Sequence, residues 1–192
     1  MFSTIPNRKY EKYQMPSIPY DDGALGKLLK IFPVKDKKTL EMEWVLSLKK
    51  EQYKNHPCKY VAHLLGHEGK GSLFSFLMKE GLATSLSSYY EDQYDCYTEI
   101  SLSIDLTEKG LGRLKDIIEY VLYYIEMLKE KGPQQWVFEE IKNLNKMKFD
   151  YMEKKKGMMK TAKMAKSMQT KKASEINIYP YFMEEWKPET IS

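Results

Sequence analysis

Two histidines four residues apart, His63 and His67, stand beside Glu68 in the stretch His63-Leu64-Leu65-Gly66-His67-Glu68-Gly69-Lys70-Gly71-Ser72. On a helix this spacing puts both imidazoles on one face, about one turn apart. Two imidazoles and a carboxylate are the outline of a zinc ligand set. Hydrolysis by zinc needs a third protein ligand, an open position for water and a base beside that water. In the inverted motif His-x-x-Glu-His, the base directly precedes the second histidine. Here that position is Gly66, which has no group to accept a proton. Glu68 follows the second histidine and is expected to point away from the shared face. The plainest reading makes His63 and His67 polar residues near a helix end, bonded to backbone. Adventitious metal binding comes next, and catalysis last. No catalytic residue and no metal ligand is expected in this chain.

Other reactive groups are few. Cys58 and Cys96 have no evident base near them in sequence and do not make a disulfide framework. Two free thiols suit a reducing compartment, so the cytoplasm is the expected location. No apolar run of about 18 residues predicts a membrane span, and Met1 to Tyr20 lacks the apolar core of a secretory signal. No glycine-rich phosphate loop joins a strand to a helix, which leaves a nucleotide fold without support. The formal charge is +4. Residues 146–172 hold ten lysines against Asp150 and Glu153, so the basic character is local. With its methionines this stretch reads as a basic amphipathic helix, of the kind that binds calmodulin or polyanions. A solvated face with methionines packed inward is the blander alternative. Only Phe149 and Tyr151 interleave the lysines, too few rings to stack on nucleic acid, so no nucleic-acid partner is expected.

The elements that must position these residues follow from periodicity. Pro6, Pro16 and Pro19 predict an extended arm over Met1 to Asp22, and residues 23–192 are long enough for one domain. Lys27 to Val34 reads as a first strand. Leu40, Met42, Trp44, Leu46 and Leu48 alternate with less apolar residues as a second. A helix is predicted from Pro57 to Gly66, with Tyr60, Val61, Leu64 and Leu65 on its apolar face. Another runs from Ser72, its N-cap, to Lys79, closed by Gly81. Leu82 to Tyr89 and Tyr94 to Ile104 read as a hairpin turning over Tyr90 to Gln93. One long helix is predicted from Thr107 to Gly132, with Leu111, Leu114, Ile117, Ile118, Val121, Leu122, Ile125 and Leu128 as its stripe. A following helix starts near Pro133, with Trp136, Val137, Ile141, Leu144 and Met147 inward. The tail from Tyr179 is polar apart from Tyr181, Phe182 and Trp186. This order predicts the α+β class: a two-layer domain with a mostly antiparallel sheet packed against several helices.

His63 to Ser72, continued to Gly81, resembles the second domain of pitrilysin-type metallopeptidases of the insulin-degrading-enzyme and nardilysin kind. Ile31 to Asp36, Ile104 to Leu111 and Gly132 to Phe138 resemble further segments of that domain, in the same order. The resemblance implies a non-catalytic partner of a first domain that carries the inverted zinc motif. Zinc then belongs to the full-length enzyme and not to this chain. The implied partners are the catalytic domain of the same or a related protease chain, and peptide substrates. The resemblance also implies an exosite that anchors the substrate N-terminus. Its positions here are His63, Gly66 and Glu68, with the strand Leu86, Ser87, Ser88, Tyr89 and Tyr90. This sequence departs from the family where Ser88-Tyr89 replaces two glycines, and the bulk of Tyr89 is expected to reshape the groove. Family domains continue into another strand beyond the "WKPET"-like segment, so a truncated product or a piece of a longer chain is expected.

Overall fold

The computed structural model describes residues 4–6, 8–11, 20–21, 23–47, 54–93, 97–154, 157–169 and 171–191. The predicted arm over 1–22 lies largely outside these residues, as do Leu48 and Cys96.

The sheet is three antiparallel strands: β1 (Thr39–Leu46), β2 (Ala83–Gln93) and β3 (Tyr97–Leu106), in the order β1-β3-β2. β3 is central, and its Ile100, Leu102 and Ile104 pair with Trp44, Met42 and Leu40 on one side and Tyr90, Ser88 and Leu86 on the other. The period-2 pattern sends these side chains to one face. There they meet α1 (Pro57–Leu65), α2 (Leu73–Lys79) and α4 (Leu114–Lys131), which supply Leu65, Leu73, Leu77, Ile117 and Val121 to the core. The other face carries Glu41, Glu43, Ser87, Tyr89 and Glu91, all exposed. One covered and one wet face is a standard arrangement for antiparallel sheets. The predicted layering is the observed one.

α2 begins and ends as its sequence dictates. The Ser72 hydroxyl accepts from the Ser75 N–H at 3.1 Å, and Gly81 turns the chain at φ +67° after α2. The predicted long helix is two pieces, α3 (Glu108–Gly112) and α4, broken at Arg113. In α3 the backbone runs close to the sheet. A Cβ on Gly110 would come within 2.0 Å of the Leu82 carbonyl oxygen, so only glycine lets the first turn press against the end of the sheet. Leu111 and Leu122 of the predicted stripe are exposed.

A second cluster packs α5 (Gln135–Asp150) against α1: Tyr60, Val137, Phe138, Ile141 and Met183. The predicted inward face of α5 is corrected. Trp136 is 67 % exposed and Met147 52 %, while Phe138 is buried. The Gln134 N–H donates to the Tyr60 hydroxyl at 2.8 Å, a bond across the α1–α5 contact, and Val137, Phe138 and Ile141 face Tyr60. The tail, ending in a 3-10 turn (Pro188–Thr190), is anchored by its aromatics: Trp186 meets Phe138 and Tyr60, and Tyr181 and Phe182 meet Phe149.

Two further readings are corrected. Lys27 to Val34 forms no strand, and its Leu29 and Phe32 are 79 % and 95 % exposed. A strand needs a backbone partner as well as apolar side chains, and among the described residues no strand pairs with this segment. The hairpin does not turn over Tyr90 to Gln93, because β2 runs on through Gln93. Downstream, α6 (Gly157–Met168) buries no residue, so its methionines are not packed inward.

Candidate functional site

α1 ends where Gly66 caps it, its N–H donating to the Ala62 carbonyl at 2.9 Å. His63 therefore sits on the last turn, and His67 lies just beyond the helix. Their rings meet edge to face with centroids 6.1 Å apart. His67 is exposed, and its Nδ1 accepts the Gly69 N–H at 3.0 Å. His63 is half-buried. Burial pushes its pKa below the ordinary imidazole value, against the opposing pull of the Glu140 carboxylate on α5.

These residues do not fit a catalytic zinc. Gly66 stands where the base would be, one His67 nitrogen is engaged by backbone, and no group of three or more His, Cys, Asp or Glu among the described residues could hold a metal.

The structure does bring two of the sequence-selected segments together. A Cβ on Gly66 would lie 3.2 Å from the Ser88 nitrogen and 3.3 Å from the Ser88 Cβ, so the end of α1 abuts β2 at its midpoint. β2 is an edge strand among the described residues. Leu86 is buried, Ser88 and Tyr90 are half-buried beside it on the helix side, and Ser87 and Tyr89 are exposed on the open face. Tyr89, 55 % exposed, thus projects away from Gly66. Of the two departures from glycine, Ser88 is the one at the contact, with its hydroxyl donating to the Ser101 carbonyl at 3.0 Å. Glu68 is exposed, with no ion pair among the described residues.

Two neighbours of this region were not legible from sequence. His56 is buried at the start of α1 with φ +48°, its Nε2 3.0 Å from the Tyr179 carbonyl and its Nδ1 3.5 Å from the Tyr90 hydroxyl. Lys59 donates to the Pro180 carbonyl at 3.1 Å. Burial, with Lys148 and Lys163 nearby, lowers its pKa to about 8. Both depend on a tail more than 100 residues away. A basic residue at position 59 was the only local signal.

Residues 1–145 match the peptidase M16 inactive domain. Insulin-degrading enzyme of Drosophila melanogaster is 34 % identical over 190 residues, covering 99 % of this chain and 19 % of that protein. The Homo sapiens enzyme is 33 % identical over 191 residues, covering 100 % and 19 %. Nardilysin of Homo sapiens is 31 % identical over 197 residues, covering 100 % and 17 %. The chain thus spans about a fifth of the length of the curated relatives it matches. The crystal structure of pitrilysin superposes with a TM-score of 0.78 at 20 % identity, over 83 % of this chain and 17 % of that one, which establishes the shared fold. With the antiparallel sheet, the helix order and the missing base all in agreement, the chain belongs to the peptidase M16 inactive domain family.

Proposed function

We propose that this chain is a non-catalytic, peptide-anchoring domain of an insulin-degrading-enzyme-like zinc metalloendopeptidase, working beside a catalytic domain that holds the zinc. An extended peptide adds to the free edge of β2 along Leu86 to Tyr90, and its terminal ammonium meets Glu68. Edge strands give such a ligand a row of backbone hydrogen bonds, and a carboxylate at the end of the row selects a free N-terminus. The observation that carries this reading is the Gly66–Ser88 contact. With no side chain at 66, the end of α1 comes against Ser88 of β2, and the loop bearing His67 and Glu68 begins there. His63, on the last turn of α1, lies within electrostatic reach of Glu140 on α5.

Titration calorimetry with an extended peptide, free or acetylated at its N-terminus, tests the reading. Acetylation and Glu68→Gln are each expected to weaken binding by a factor of about 2–5, the scale of one partly exposed ion pair. Together they weaken it no further than either alone. Equal affinity for the free and acetylated peptides would reject Glu68 as the anchor. No binding of either peptide would reject the peptide site.

A further inference from the structure

We propose that the junction of α1, α5 and the tail is a binding site for inorganic phosphate, held between the ammonium groups of Lys59, Lys148 and Lys163 with the side-chain amide of Asn145 as a neutral donor. The site is separate from the peptide edge and does not rest on it. Two independent observations carry it. The first is an orphaned donor. Asn145 is 2 % exposed, and its Nδ2 has no hydrogen-bond partner among the described residues. Buried amides as a rule have one, so an orphan marks a place that takes up an acceptor from outside the chain. Asn145 follows Ile141 by four residues and precedes Lys148 by three. Ile141 shares a core cluster with Tyr60 of α1. The spacing puts all three residues on one stripe of α5, the stripe turned toward α1.

The second is a convergence of like charge. Lys59 is half-buried and donates to the Pro180 carbonyl at 3.1 Å. Among the described residues, the charges within electrostatic reach of it are Lys148 of α5 and Lys163 of α6, both positive. Lys148 also reaches His63, one turn along α1. Lys148 and Lys163 are exposed, so the junction is open to solvent on their side, and neither makes an ion pair among the described residues. Glu140 acts on His63 and not on Lys59. A groove of about 550 Å³ adjoins the junction, with Lys148 and Tyr181 in its wall and Glu153 as its one acid. Cations gathered from three elements repel one another, and an anion between them removes that cost. Three ammonium groups beside one carboxylate leave two positive charges, which a phosphate dianion matches and a carboxylate ligand does not. A water molecule would satisfy the Asn145 amide and leave the lysines repelling; phosphate answers both. The tail half-encloses Lys59, which suits the free ion over a bulky ester.

Titration calorimetry of the whole chain with sodium phosphate at pH 7 and fixed ionic strength tests this. Saturable one-site binding is expected, with acetate at least about ten-fold weaker. Lys148→Gln with Lys163→Gln alters exposed side chains only, so the fold is kept, and phosphate binds at least about ten-fold more weakly. Lys160→Gln with Lys172→Gln removes two exposed lysines outside the junction and leaves the affinity within about two-fold. In the unaltered chain the Asn145 side-chain amide resonances move as phosphate saturates. Phosphate that binds no better than acetate overturns the proposal. Equal weakening by the Lys160 and Lys172 pair also overturns it, because the attraction would then be diffuse. So do Asn145 amide resonances that stay in place. Phenyl phosphate binding more tightly than the free ion would overturn the assignment to inorganic phosphate in favour of a phosphorylated partner.

Discussion

At the scale of single residues, Gly66 bears on both the chemistry and the packing of this region. Gly66 occupies the place of a general base, and the same absence of a side chain lets α1 end against Ser88. A half-buried cation poses a different question. Lys59 lies under the tail with Lys148 and Lys163 nearby, and its pKa falls from 10.5 to about 8. A lysine with a lowered folded-state pKa penalises folding wherever it is protonated in both states. The penalty is full below about pH 8 and is relieved as pH rises toward 10.5, because over that window the unfolded chain binds more protons than the folded one. Lys59→Met keeps the apolar stem and removes the charge. Urea denaturation at pH 7 should show it more stable by about 1 kcal/mol, after allowance for partial exposure and the lost bond to Pro180. That advantage should shrink or reverse by pH 10.5. A variant less stable at pH 7, or an advantage that grows with pH, would contradict the assignment. None of this was legible in sequence, because the burial of Lys59 is created by residues near 180.

At the scale of elements, legibility followed the number of constraints each segment carried. β3, α1 and α2 had periodicity together with caps or turns, and their positions were read within a few residues. α5 had two neighbouring rings, Trp136 and Phe138, either of which could face inward. Phe138, Val137 and Ile141 pack against Tyr60 and Met183, contacts that no local pattern encodes. Lys27 to Val34 had strand-like composition but no pairing partner, which composition does not supply. Its exposed Leu29, Ile31, Phe32 and Val34 form an apolar run of the kind that promotes association. Phe32→Ser is accordingly expected to lower light scattering on concentration while leaving stability within about 0.5 kcal/mol, since the ring buries almost nothing. A fall in the melting temperature of more than about 5 °C would show that the ring packs in solution.

At the scale of the molecule, two packed clusters and a tail clamp hold α1 in place. The sheet supports α1 from one side through Leu65, and α5 with Met183 supports it from the other through Tyr60. The candidate site lies at the end of this doubly supported helix, where it meets an edge strand. The meeting of Gly66 with Ser88 spans 22 positions of sequence. Periodicity placed each residue on its own element, and the family resemblance alone indicated that the two belong together. The two-histidine spacing is present at this helix end, with glycine at the position that precedes the second histidine.

The central claim is that this chain holds peptide without cutting it. The most direct measurement is turnover of an internally quenched peptide by the purified chain with added zinc, read beside binding of the same peptide by fluorescence anisotropy. The account predicts saturable binding with no turnover, and no change on adding a chelator. Turnover that a chelator abolishes and that His63→Ala or His67→Ala removes would contradict it.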